Sequence, residues 1–329
     1  MIGFDIGGTK CAVCIGEEID GRLIIQNRQV IPTDHTVSPY VMLDRMWQLA
    51  RKLTEETGCI GISCGGPLDS RHGLILSPPN LPGWDHVEVV EYLKERSQGE
   101  VFLQNDANAC AIAEWKYGAG KGFQNIIFLT FGTGMGAGLI LNGQPYSGSS
   151  DMAGEIGHVR LSRFGPVGYG KAGSFEGFCS GSGIAQIGQM AAREKLQMGM
   201  PVSFCNSLEQ LDQITAKTVA ECANKGYEDA LNVYRLCGEM LGRGLSILID
   251  ILNPECIILG SIFQRCEHLL RESMEQTIAR ESLSSSAHVC RIVPSALADQ
   301  IGDYAALAVA AIEQEGIQAL QEGGKNVIR

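Results

Sequence analysis

The chain is expected to be an α/β protein in two lobes, and three observations predict this. Its 329 residues exceed what one hydrophobic core ordinarily supports. A strand, a glycine/threonine turn and a second strand occur near the start and again around 125–141. Between these copies, the apolar run Glu100 to Gln104 ends in Asn105-Asp106-Ala107-Asn108 and passes into a stretch of good helix formers. The repeat suggests two homologous halves, each offering a phosphate turn to a shared cleft.

Composition narrows the class. At 45% hydrophobic and 19% charged, the chain is a packed protein rather than a disordered one. A net charge of -11 disfavours nucleic acid as a direct partner. An anionic substrate would need backbone amides or a metal working against that field. The twelve cysteines are scattered, mostly in apolar runs where a thiol acts as a small core hydrophobe. Cys11 and Cys14 form a C-x-x-C inside a strand-like run and have no second pair to complete a metal site. No apolar run approaches the roughly 18 residues of a membrane span, and the chain opens directly on a strand. A reduced, cytoplasmic location with no signal peptide and no membrane contact is expected.

The elements follow in order. Ile2 to Ile6 is a strand, Gly7-Gly8-Thr9-Lys10 a tight turn, and Cys11 to Ile15 the returning strand. Such a turn can present successive N–H groups to a phosphate, with Thr9 adding a hydroxyl and Lys10 a charge. It can equally be an ordinary hairpin, and it is not a Walker A loop. After a polar turn (17–22), Leu23 to Gln29 is a third strand, and Tyr40 to Glu56 has helical periodicity through Met42, Met46, Leu49 and Leu53. Cys59 to Ser63 is a strand ending at Cys64-Gly65-Gly66-Pro67, where backbone can approach a ligand. Asn80, in a proline-rich loop, is either a polar contact or a turn residue.

Asp106 sits where a carboxylate can face a cleft beside a helix N-terminus, a workable position for a general base. The competing reading is that Asn105 or Asp106 merely caps the helix. The second turn, Gly132-Thr133-Gly134-Met135-Gly136-Ala137-Gly138, follows a strand from Asn125 to Phe131. Glu155 and His158, three apart, and Glu176 lie in a polar, glycine-rich stretch suited to gripping several hydroxyls, though a lone histidine is often structural. Helices are expected from Ser180 to about Leu196, over 208–224 and over 227–252, the last ended by Asn253-Pro254. Cys256 to Leu259 is a buried strand meeting Gly260-Ser261. A helix near 265–280, a strand from His288 to Val293, a helix from Tyr304 to Glu315 and a frayed tail from Gln321 complete the chain.

With Asp5 to Lys10, Asn105 to Asn108, Gly132 to Gly138 and Gly154-Glu155-Ile156-Gly157-His158 in order, the chain resembles the ROK family of repressors, open reading frames and sugar kinases. The resemblance spans nearly the whole chain. It implies a two-lobed, actin-like (ribonuclease H-like) ATPase fold with a central cleft, the small lobe holding about 1–115 plus 303–329 and the large lobe 116–302. It implies ATP-dependent phosphorylation of a hexose at its 6-hydroxyl, glucose first and an N-acetylhexosamine next. Asp106 would be the base. Gly65, Gly66, Asn80, Asn105, Glu155, His158 and Glu176 would bind the sugar. Gly7, Gly8, Thr9, Lys10, Thr133 and Gly134 would cradle the phosphates, Asp5 would orient Mg2+, and Gly260 and Ser261 would lie near the nucleoside. A homodimer is a family-level expectation. The alternative is a sugar-responsive transcriptional regulator of the same family. Those members carry a DNA-binding segment ahead of the first phosphate turn, and this chain has four residues before Asp5.

One departure stands out. The family's loop after the histidine has three cysteines that bind zinc with it, and Val167, Tyr169 and Ser174 occupy those positions here. No zinc is expected. The loop should instead be ordered by packing of Val167, Tyr169 and Phe175 and by hydrogen bonds from Ser174.

Overall fold

The computed structural model describes residues 1–55 and 58–325, with side chains described to 317. The chain divides into two compact units: 1–122, 138–153 and 296–329 form the first, and 123–137 with 154–295 the second. The segment 138–153, expected with the second lobe, instead packs in the first unit. Asn108 Nδ2 reaches Ser147 Oγ at 3.3 Å, and Asp151 Oδ2 accepts the Ser70 amide at 2.7 Å.

The first unit is built on a five-stranded sheet ordered Arg22–Pro32, Lys10–Ile19, Ile2–Ile6, Ile60–Cys64, Val101–Asn105. The first three strands are antiparallel, and the last three run parallel. The second strand continues to Ile19, so the expected polar turn shortens to Asp20-Gly21, both at positive φ. Parallel strands buried on both faces carry continuous apolar runs, and Ile60 to Cys64 is wholly buried. One face packs against the helix Pro39–Leu53, which Ser38 caps and Pro39 starts, burying Met42, Leu43, Met46 and Ala50. The expected end of that helix at Glu56 lies outside the described residues. The helix Ile301–Lys325 covers the sheet, with 305–311 all buried. It runs beyond the expected stop at Glu315 and through the start of the tail expected to fray from Gln321, although Gly316, Gly323 and Gly324 are poor helix formers.

A helix at Val89–Ser97 and three two-residue strands at 68–69, 74–75 and 87–88 carried no strong sequence signal. Each is too short for its period to register.

In the second unit, Cys256–Leu259 lies between Ile126–Leu129 and Arg291–Pro294, all parallel. Around them pack the helices Gly181–Gln197, Glu228–Leu252 and Ile262–Glu281. The long central one ends at Asn253 in the left-handed region, followed by Pro254. The helix expected over 208–224 is two pieces, a 3-10 turn at Leu208–Gln213 and a helix at Ala216–Ala223. Thr215 and Thr218 bond reciprocally to each other's amides, which restarts the helix there. The strand expected from His288 begins only at Arg291. Residues Ser284–Val289 are helical, anchored by Leu283, whose amide donates to Asp250 Oδ1.

Candidate active site

In the first unit, Asp5 lies near the end of the strand Ile2–Ile6, and Gly7 to Lys10 turn the chain back, with the Gly7 amide donating to Lys10 O at 3.2 Å. Thr33 and His35, just past the strand Arg22–Pro32, bond to the carbonyls of Gly7 and Gly8. A Cβ on Gly8 would sit 2.4 Å from Asn80 O, so the first turn and the Asn80 loop pack backbone to backbone. Gly65 and Gly66 follow the strand Ile60–Cys64. A Cβ on Gly65 would stand 3.9 Å from Asp106 Oδ2, and one on Gly66 3.2 Å from Asn105 Nδ2. The sequence thus converges Asp5, the first turn, Asn80, Gly65, Gly66, Asn105 and Asp106 on the ends of adjacent strands.

Asn105 does most of the capping, and Asp106 shares one amide with it. Asn105 is the N-cap of the helix Asp106–Tyr117, its Oδ1 accepting the amides of Ala107 at 3.0 Å and Asn108 at 3.4 Å. Asp106 Oδ1 also accepts the Ala107 amide, at 2.8 Å, which leaves Oδ2 turned toward Gly65. Although the side chain is exposed on its surface, the protein around it pushes the carboxyl above the usual aspartate value, against the pull of the Ala107 amide. Its exposure limits the size of that effect.

Asp5 is pushed up to about 6, by burial first and then by the charges of Asp106 and Asp303, with Lys10 and Arg28 opposing. Arg28 Nε is committed to Asp303 Oδ2 at 2.5 Å. Negative charge is therefore in surplus at this strand end. A magnesium ion needs only one or two carboxylates besides substrate phosphates and water, so Asp5 fits such an ion arriving with a nucleotide.

In the second unit, the turn Gly132 to Gly136 is held by Thr130, whose Oγ1 accepts the Gly136 amide at 2.8 Å, and by the Gly132 amide donating to Gly134 O at 3.1 Å. Glu155 precedes and His158 ends a 3-10 turn, and both are exposed. Glu176 lies in the first turn of the short helix Phe175–Phe178, which Ser174 caps. The Phe175 amide donates to Val159 O at 2.8 Å, so this helix and the Glu155–His158 turn are mounted together. Gly260 and Ser261 join Cys256–Leu259 to the helix Ile262–Glu281, with Ser261 at φ 49. Ser261 Oγ would lie 3.7 Å from a Cβ on Gly132.

Thr133 and Ser261 share a cavity of about 490 Å3 whose other walls include Ser182, Ile214, Lys217 and Arg265. That size suits a small organic ligand. Lys217 and Arg265 are basic, and among the described residues no acidic side chain lines the space. Another depression of about 520 Å3, around Gln186, Met190 and Arg193, contains none of the candidate binding residues.

The ROK family model matches residues 1–312. The chain belongs to the ROK family. This ROK protein is 29% identical over 315 residues to a glucokinase of Thermotoga maritima, covering 94% of this chain and 96% of that one. It is 27% identical over 306 residues to a xylose repressor of Caldicellulosiruptor bescii, covering 91% of this chain and 75% of the repressor. Among solved structures, a ROK glucokinase from Streptomyces griseus in complex with glucose and AMPPNP aligns with a TM-score of 0.74 at 26% identity, covering 95% of this chain and 98% of that one. The fold is accordingly the α/β, actin-like fold of the family.

The zinc implied by the family does not fit the residues present in this ROK protein. Val167 has no donor atom and Tyr169 is exposed. Ser174 Oγ is spent on the Gly177 amide at 3.1 Å and on Gly168 O at 3.4 Å. Among the described residues, no three His, Cys, Asp or Glu side chains form a group able to hold a metal. Phe175 packs and Ser174 bonds as expected, but Val167 and Tyr169 do not pack inward. A small hairpin pairs Val167 with Ala172 and Gly168 with Lys171, Phe175 and Ser174 are fully buried, and Lys171 Nζ reaches His158 O at 2.8 Å.

Sequence reasoning missed Lys217, Arg265 and the 214–217 wall. A signal existed: Ser180-Gly181-Ser182-Gly183 and Thr215 both mark helix starts, and two helix starts beside a glycine turn make an anion-friendly wall.

Proposed function

We propose that this chain is an ATP-dependent sugar kinase, transferring the γ-phosphoryl group to the 6-hydroxyl of a hexose, with glucose the first choice. The observation that carries the reading is Asp106, a carboxylate of raised proton affinity whose capping duty is taken by Asn105. Relatives named glucokinase over nearly their full length support it.

The chemistry follows from position. Phosphoryl transfer asks for alignment and charge neutralisation more than for covalent help. Asp106 Oδ2 accepts the proton of the attacking hydroxyl as that oxygen bonds to phosphorus, and ADP departs. Glu155, His158, Glu176, Asn80 and Asn105, with backbone at Gly65 and Gly66, hold the sugar's remaining hydroxyls. Backbone amides of the turns at Gly7–Lys10 and Thr133–Gly134 cradle phosphate oxygens, and the cavity bounded by Ser261, Lys217 and Arg265 takes the nucleoside side of the donor. Asp5 would hold magnesium, which would supply neutralisation of phosphate charge.

The xylose repressor relative favours a second reading, a sugar-responsive regulator. A panel of hexoses and N-acetylhexosamines in a coupled ADP-release assay separates the two. Sugar-dependent ADP release is expected, strongest with glucose. Sugar binding without ADP release would reject the kinase and leave the regulator.

A further inference from the structure

Glu176, read as a sugar ligand, is already occupied on the donor side. Its Oε2 accepts the backbone amide of Met135 at 3.1 Å. The carboxylate lies over the second glycine turn so closely that a Cβ on Gly134 would stand 2.8 Å from the same oxygen. Neither partner is loosely placed. Ser174 and Phe175, just before Glu176, are fully buried, and Ser174 caps the helix that carries it. Met135 is buried too, in a turn pinned by Thr130.

The amide concerned is one that a glycine turn would be expected to offer to phosphate. A carboxylate on it does two things. It fills the donor that a phosphate oxygen would use, and it sets a like charge beside the phosphates. The hydroxyls of a sugar can satisfy Glu176 equally well, since an ionised carboxylate accepts from any of them.

We propose that Glu176 guards the Met135 amide: the sugar-free chain holds it closed to the donor, and sugar hydroxyls draw the carboxylate away and open it to a phosphate oxygen. Met135 N–H is thereby a donor-binding group, and Glu176 is the link by which acceptor and donor sense each other within one unit. This rests on the sugar-kinase reading of the site. The coupling is positive and, by linkage, reciprocal: sugar tightens the nucleotide by the factor with which the nucleotide tightens sugar.

The test is calorimetric titration of AMPPNP into wild type and Glu176→Gln, each without sugar and with saturating glucose. Glucose should tighten AMPPNP on wild type roughly tenfold, within the ordinary range of coupling between sites. Glu176→Gln removes the charge, so it should bind AMPPNP about tenfold better than wild type without sugar and gain little from glucose, while binding glucose itself less well. Equal or weaker sugar-free AMPPNP binding by the variant, or an undiminished glucose effect in it, overturns the guard. Should the variant misfold, the Met135 amide resonance of wild type decides instead. Loss of its carboxylate partner on glucose addition should move it upfield, and a resonance that stays put counts against the proposal. If no sugar binds wild type, the kinase reading fails and sugar release with it. The sugar-free comparison of the two proteins still reports whether Glu176 blocks a nucleotide.

Discussion

Lys171 donates to the backbone carbonyl of His158 across 2.8 Å, tying the tip of a small hairpin to the turn that carries a candidate sugar ligand. The ring of Tyr169, on the same hairpin, meets the His158 ring edge-on at 6.3 Å. A metal bound by the histidine would fix its ring directly. Here a side chain fixes its backbone, and the imidazole keeps both nitrogens for hydrogen bonding. Lys171→Met should raise the KM for sugar several-fold, with kcat and the KM for ATP little changed, and Lys171→Arg should recover part of the loss. Protein purified without chelator should contain no stoichiometric zinc, and EDTA with magnesium restored should leave sugar affinity intact. Near-stoichiometric zinc lost together with sugar affinity is the contrary result.

Asp106→Asn tests the base. Proton acceptance disappears while the helix keeps its Asn105 cap, so turnover should drop by about 10²–10⁴ with the melting temperature nearly unchanged. Asn105→Ala should behave oppositely in stability, losing about 1 kcal/mol as an N-cap. The acid limb of kcat/KM should fall through a midpoint modestly above the ordinary aspartate value, because the protein surrounding the exposed carboxyl still desolvates its charged form. Full activity of Asp106→Asn would reduce Asp106 to a structural residue.

Asp5 gives a pH dependence of stability whose sign can be worked out. Its folded value is about 6 against an ordinary 3.8, so between those values the folded chain binds more protons than the unfolded one. Stability contributed by this group is therefore greatest in acid and is lost as pH rises from about 4 to about 6, with no further change above. The full shift corresponds to at most about 3 kcal/mol, and partial exposure of the side chain reduces it. Asp5→Asn should accordingly stabilise the magnesium-free protein at pH 7.5 and flatten its stability between pH 4 and 6, while turnover collapses. Chemical denaturation across that range checks the slope, and an unchanged slope in the variant would assign it to other carboxylates.

The sequence carried the strand ends, the glycine turns and the strand-end Asp106 because each is a local signal: apolar runs stopping at residues with special backbone needs. It also carried the missing zinc ligands. What it could not carry were relationships between distant residues. That Asn105 rather than Asp106 does the capping depends on which side chain turns back to the Ala107 and Asn108 amides. The basic wall of Lys217 and Arg265 comes from two helices, the residues 48 positions apart in numbering, 217 and 265, that both pack on the helix Glu228–Leu252. Val167 and Tyr169 look like core residues by type, yet the positive φ of Tyr169 and the two-residue pairing of the hairpin leave both exposed.

The same non-local contacts change what the glycine turns predict. From sequence, a valine at either turn should weaken ATP far more than sugar, by blocking approach to backbone amides. The structure separates the two positions. At Gly8 the obstacle is the Asn80 backbone, 2.4 Å from the new Cβ, which cannot move without shifting the loop. Gly8→Val should therefore lower the melting temperature and weaken sugar as well as ATP, Asn80 being an acceptor-side candidate. At Gly134 the obstacle is the end of the Glu176 side chain, 2.8 Å away, which can rotate aside at small cost. Gly134→Val should fold with near wild-type stability, yet it should weaken ATP through bulk over the turn and sugar through the displaced carboxylate. Calorimetric titration with each ligand, beside thermal denaturation, tests both. A Gly134→Val protein that loses nucleotide affinity while binding sugar as wild type does would show that Glu176 is not held between the two substrates.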